Sequence, residues 1–174
     1  TEVPLKFRAQ ETKATQADIK LSASFLAEKV EPLIPKYELF IRRYFPERVD
    51  ELLKAIPSAS DKEGRFRTVN ESFRSILDER LRQIFSITSK DRLWQGEFIK
   101  PMPSAVSSDF GEKRTFSFEG KPFGTSIHNG FDLASTERDI VRATNEGIVV
   151  LSEDFGLYGN AIVIDHGLGI FSLY

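Results

Sequence analysis

The chain has 174 residues, with 24 Lys and Arg against 26 Asp and Glu, a formal net charge of -2, and 40% hydrophobic residues. That balance suits an ordinary globular protein of one domain or slightly more, with a real core, and it offers no basic excess for nucleic acid or an anionic lipid surface. The absence of cysteine excludes disulfides, thiolate zinc sites and a cysteine nucleophile.

No apolar run approaches the roughly 18 residues of a membrane-spanning helix, so no transmembrane segment is expected. No signal peptide is visible. Thr1 stands where an initiator methionine would, so a processed form that has lost its targeting segment is expected.

Residues 1–30 read as extended. Val3, Leu5 and Phe7 alternate with polar residues, and Ile19, Leu21, Ala23 and Phe25 do so again, the period of a half-buried strand. The polar Gln10-Glu11-Thr12-Lys13 would turn the chain between them. Pro32 and Pro35 break this pattern. A short helix is expected over Tyr37–Tyr44, stopped near Pro46, and another over Glu47–Ile56. The strongest helical signal runs from Thr68 to about Phe85. Thr68 and Glu71 have capping-box spacing, and Val69, Phe73, Ile76, Leu77, Leu81 and Ile84 form one apolar stripe suited to packing.

After Ser89 the chain becomes rich in Gly, Ser and Phe. The runs Ile148–Leu151, Ala161–Ile164 and Ile170–Tyr174, separated by glycine-marked turns, predict an antiparallel meander. Just before it lies Ser126-Ile127-His128-Asn129-Gly130-Phe131-Asp132, with a carboxylate four residues after one of only two histidines. A neutral imidazole and a carboxylate suit a divalent transition metal, zinc above all. Taken alone, H-x-x-x-D also fits a His and an Asp solvated on either side of a tight turn. Arg114 follows Phe110-Gly111-Glu112-Lys113 in an expected loop, and His166 closes the second meander strand beside Asp165.

The ordered set Ser108-Asp109-Phe110-Gly111-Glu112-Lys113-Arg114, His128-Asn129-Gly130-Phe131-Asp132-Leu133-Ala134, Asn145–Val150 and Gly159–Gly167 resembles the lysostaphin/LytM-type zinc metallopeptidases, which cleave peptide cross-links of bacterial peptidoglycan. The resemblance spans roughly residues 93–174. It implies an α+β chain: an N-terminal β segment over 1–30, a helical connector over 31–91, and an antiparallel β catalytic core over 92–174. It implies zinc held by His128 and Asp132, with the third ligand and the catalytic histidines beyond Tyr174. Arg114 and His166 are then candidates for the groove or for supporting the ligands. Peptidoglycan would be the partner, in the periplasm, at the cell envelope or outside the cell. The rival reading is a wall-binding or amidase-activating module that keeps the fold without catalysis. A plain β interaction domain leaves the His–Asp pair unexplained.

Overall fold

The computed structural model describes residues 15–101, 105–137 and 139–174. The expected strand through Val3, Leu5 and Phe7 and the turn at Gln10–Lys13 lie outside the described residues. The architecture is α+β, and the described residues form two units, residues 15–20 with 105–134, and residues 21–101 with 135–137 and 139–174. No helix among the described residues is long and apolar enough to cross a membrane.

The second unit packs helices on a β-meander. Strand β1 (Gln16–Leu21), which belongs to the first unit in all but its last residue, ends sooner than the alternation suggests, because Ser22 caps a helix. Its hydroxyl accepts from the Phe25 N–H at 3.0 Å, satisfying an orphan donor of the first turn. Helix α1 (Ala23–Phe25) then continues through a wider turn to Val30. The alternation of Ala23 and Phe25 was therefore a false strand signal, overridden by a local cap.

Helix α2 (Leu33–Tyr44) starts four residues earlier than expected. Pro35 lies in its first turn, where the missing N–H would have no helical partner anyway. Ile34, Tyr37, Phe40 and Ile41 share its buried face. Helix α3 (Val49–Lys54) follows a turn at Pro46–Arg48.

The long helical stretch also begins early, at α4 (Lys62–Arg67). Asp61 caps it by accepting from the Gly64 N–H at 2.8 Å. Thr68 is thus inside the helix and caps nothing; its hydroxyl donates back to the Gly64 carbonyl at 3.0 Å. The stretch widens over Thr68–Phe73 and continues as α5 (Arg74–Phe85). The apolar stripe lies where the periodicity places it: Val69, Phe73, Ile76, Leu77 and Leu81 are buried and Ile84 partly so.

Three strands complete this unit, β6 (Ile148–Asp154), β7 (Asn160–Gly167) and β8 (Ile170–Leu173), paired antiparallel in that order as the sequence predicts. Leu151, Ala161 and Val163 point into one core with Tyr37, Phe40, Phe73 and Phe155. Phe155 is fully buried and meets Phe40 edge-on at 5.2 Å, the arrangement that ring quadrupoles favour.

A buried carboxylate ties the segment after α5 to this sheet. Asp165, 4% exposed, accepts from the Ser89 N–H at 2.8 Å, the Gly167 N–H at 2.7 Å and the Thr88 hydroxyl at 2.9 Å. Burial alone would raise its pKa, but these donors and the neighbouring His166 outweigh burial and hold it below the ordinary 3.8. Gly167 adopts φ +87°, and a Cβ there would stand 2.0 Å from the Asp91 carbonyl oxygen, so only glycine permits this close crossing.

The first unit is all β where described. Strands β3 (Lys113–Phe118) and β4 (Lys121–Ile127) form a hairpin, and β1 adds to it in the order β1-β3-β4. Its two-residue loop, Glu119-Gly120, has φ of 50° and 75°, the mirror-image turn that matches strand twist. Arg114, expected in a loop, sits instead on β3, because Lys113–Phe118 pairs with β4. Short strands β2 (Ala105–Ser108) and β5 (Asp132–Ala134) pair separately.

Two outcomes test this packing. Phe155→Ala removes a buried ring that cannot be replaced by local collapse and should cost about 3–5 kcal/mol in urea unfolding. Asp165 has a depressed folded pKa, so its stabilisation is present above the unfolded pKa and is lost as pH falls below about 4. Asp165→Asn should therefore lower stability by about 1–3 kcal/mol at neutral pH, and the acid decline should be shallower in the variant than in the parent.

Candidate metal centre

His128 and Asp132 are brought together within the first unit by two strand pairings. The β3–β4 ladder continues past its last residue pair. The His128 N–H donates to the Glu112 carbonyl at 2.9 Å, and the Gly111 N–H donates to the His128 carbonyl at 2.7 Å. Gly111 turns this loop with φ +79°. Asp132 is set from the other side, where β5 pairs with β2 and places Asp132 opposite Ser108. The Ser107 hydroxyl also donates to the Asp132 carbonyl at 3.1 Å.

The result is that His128 Nε2 stands 3.2 Å from Asp132 Oδ1. The other ring nitrogen settles the chemistry. Nδ1 lies 2.9 Å from the Asp109 carbonyl oxygen. A carbonyl only accepts, so Nδ1 carries the proton and donates. Nε2 of the neutral ring then presents a lone pair to a carboxylate oxygen, two acceptors face to face. Such a pair needs a cation between it, either a proton that makes the ring an imidazolium or a metal ion.

The residues fit zinc. Two donors bound at about 2.0–2.1 Å to one tetrahedral zinc stand roughly 3.3 Å apart, close to the observed separation. The backbone carbonyl on Nδ1 is the partner that metal-binding histidines usually have on the ring nitrogen away from the metal. Asp132 is half exposed, at 56%, whereas His128 is 15% exposed, so the pair faces solvent from the carboxylate side. Among the described residues no group of three His, Cys, Asp or Glu comes together as a complete ligand set.

Behind the pair lies a polar network that the sequence reading named only in part. Ser108 Oγ lies 2.9 Å from His128 Nδ1 and donates to Glu112 Oε1 at 3.1 Å. Arg114 donates through Nε to Glu112 Oε1 at 2.6 Å and through a terminal nitrogen to Ser108 Oγ at 2.7 Å. The same terminal nitrogen is 3.6 Å from Asp132 Oδ2. The Arg114 hydrogen bond holds the Glu112 carboxyl below its ordinary pKa against some desolvation, with Ser108 adding to the effect.

Arg114 thus reaches both candidate ligands. Ser108, the Asp109 carbonyl and Glu112 were missed as contributors, although Ser108 and Glu112 lie in the quoted motif. Their only sequence signal is a polar residue at each end of a tight turn, too common to single out.

His166 belongs to the other unit and is fully buried. Its Nδ1 lies 2.6 Å from the Glu146 carbonyl, and its Nε2 lies 2.8 Å from Ser172 Oγ. Phe98 meets the ring edge-on at 4.9 Å. With Nδ1 donating to a carbonyl and Nε2 accepting from the serine, both nitrogens are occupied by structure.

No curated protein matches this chain. Residues 126–174 match the model of peptidase family M23, which agrees with the resemblance to the lysostaphin/LytM-type enzymes. The matched stretch contains His128, Asp132 and the whole β6–β7–β8 meander. The similarity to peptidase family M23 therefore covers this part of the chain, with the candidate metal pair at its start.

Proposed function

We propose that this chain is part of a zinc-dependent endopeptidase that cleaves peptide cross-links of bacterial peptidoglycan, acting in the periplasm, at the cell envelope or outside the cell. One observation supports it above the others: a histidine with its proton committed to a backbone carbonyl aims its free nitrogen at a carboxylate 3.2 Å away, inside a peptidase-family segment.

His128 Nε2 and Asp132 Oδ1 would hold the metal. Zinc, when bound, polarises a carbonyl and makes its water acidic enough to attack near neutral pH. This chain's residues keep the imidazole in one tautomer, present the carboxylate by one oxygen, and leave the site open on the Asp132 side for substrate. Phe110 and Phe131, both more than half exposed, offer apolar surface beside the ligands. A catalytic site needs about three protein ligands. Two are brought together among the described residues, and the reaction further calls for a third donor and an acid–base group.

The test is elemental mass spectrometry of the full-length protein together with mass spectrometry of peptidoglycan digests. About one zinc per chain is expected, following the usual stoichiometry of such sites, and His128→Ala should lose it. Cross-link cleavage should stop on chelation and return with added zinc. A full-length protein that retains no zinc at neutral pH, yet sediments with peptidoglycan without cleaving it, would replace this reading by the non-catalytic wall-binding or amidase-activating module.

A further inference from the structure

We propose that Arg114 is a positioning residue for both candidate ligands: one guanidinium holds Asp132 from its outer oxygen and His128 through Ser108, so that Nε2 and Oδ1 converge. This deepens the proposed zinc reading and rests on it for its functional meaning.

The geometry supports the assignment on three sides. A single terminal nitrogen of Arg114 lies 2.7 Å from Ser108 Oγ and 3.6 Å from Asp132 Oδ2. Ser108 Oγ in turn contacts His128 Nδ1 at 2.9 Å. The guanidinium is itself braced, because Nε donates to Glu112 Oε1 at 2.6 Å and the same carboxylate oxygen accepts from Ser108. Arg114 is 23% exposed and Glu112 18%, so neither swings freely in water.

The chain arrangement makes this possible. Arg114 lies opposite Ser126 on the β3–β4 hairpin, two residues before His128. Ser108 lies opposite Asp132 on the β2–β5 pair. Arg114 is therefore where the two pairings meet. With Oδ2 drawn toward Arg114, Oδ1 is the oxygen left facing the imidazole, which favours one-oxygen coordination.

Arginine suits this task for a geometric reason. Its planar fork donates in several fixed directions, which one ammonium on a flexible stem does not reproduce. Its charge works in the opposite sense. A guanidinium beside a divalent cation repels it, so on charge alone the loss of Arg114 would strengthen zinc binding. A positioning role predicts weakening. The two accounts differ in sign.

The experiment measures zinc affinity by competition with a chelating dye, on the full-length protein and its Arg114→Lys and Arg114→Met variants. Both variants should bind zinc more weakly, by about 10- to 100-fold, the usual effect of removing a partner that orients a ligand. Lysine should not rescue the loss despite keeping the charge. Unchanged or tighter binding in Arg114→Met overturns the proposal, as does wild-type affinity in Arg114→Lys.

A second readout does not depend on zinc. In metal-free protein the ring signals of His128 should form one sharp set in wild type and broaden or double in both variants, with the backbone amide spectrum otherwise retained. Ring signals unchanged in both variants overturn the positioning role. If wild type binds no zinc, the metal reading fails by itself, and the ring signals alone decide on Arg114. If Arg114→Met does not fold, Arg114→Lys carries both measurements.

Discussion

Everything about the candidate site depends on where one proton sits. The Asp109 carbonyl can only accept, so it commits the His128 proton to Nδ1 and leaves Nε2 with a lone pair. That lone pair faces a carboxylate oxygen. Without the carbonyl, the ring could turn its N–H toward Asp132 and settle into an ordinary neutral hydrogen bond. With it, the pair is poised for a cation. A backbone group at a tight turn therefore shapes the chemistry of two side chains, and the turn exists because Gly111 tolerates a positive φ.

The second unit obeys a similar logic with a different group. Asp165 is buried, and its cost of burial is offset by three donors that come from both sides of the chain crossing. The crossing is so close that residue 167 must lack a side chain. His166, next in sequence, spends both ring nitrogens on the same scaffold. The two histidines of this chain thus illustrate one rule. A histidine with a carbonyl on one nitrogen and a hydroxyl on the other has both nitrogens satisfied, whereas one with a carbonyl on one nitrogen and a carboxylate on the other calls for a cation, a proton or a metal ion, between ring and carboxylate.

Periodic features were legible in the sequence. The meander at Ile148–Tyr174 and the apolar stripe from Val69 to Leu81 follow from side-chain spacing, and burial follows spacing closely when a whole face is apolar. Element starts were less legible. Ser22 and Asp61 each cap a helix that the apolar pattern alone did not announce, because a cap is one hydrogen bond decided by local backbone geometry. Thr68 and Glu71 had the right spacing for a capping box, yet Asp61, seven residues earlier, had already begun the helix.

The same division holds at the site. The sequence by itself offered His128 and Asp132 as a candidate ligand pair, because a turn-separated imidazole and carboxylate within an ordered set of motifs is a pattern of residue types that can be read without coordinates. It also carried the long helix and the β-meander, through hydrophobic periodicity. The tertiary structure alone decided that Nε2 rather than Nδ1 is the free nitrogen, that Arg114 stands on a strand where two pairings meet, and that His166 is spent on its own scaffold. Those outcomes rest on hydrogen bonds between groups distant in sequence, and their direction depends on ångström-scale placement that no spacing of residue types encodes.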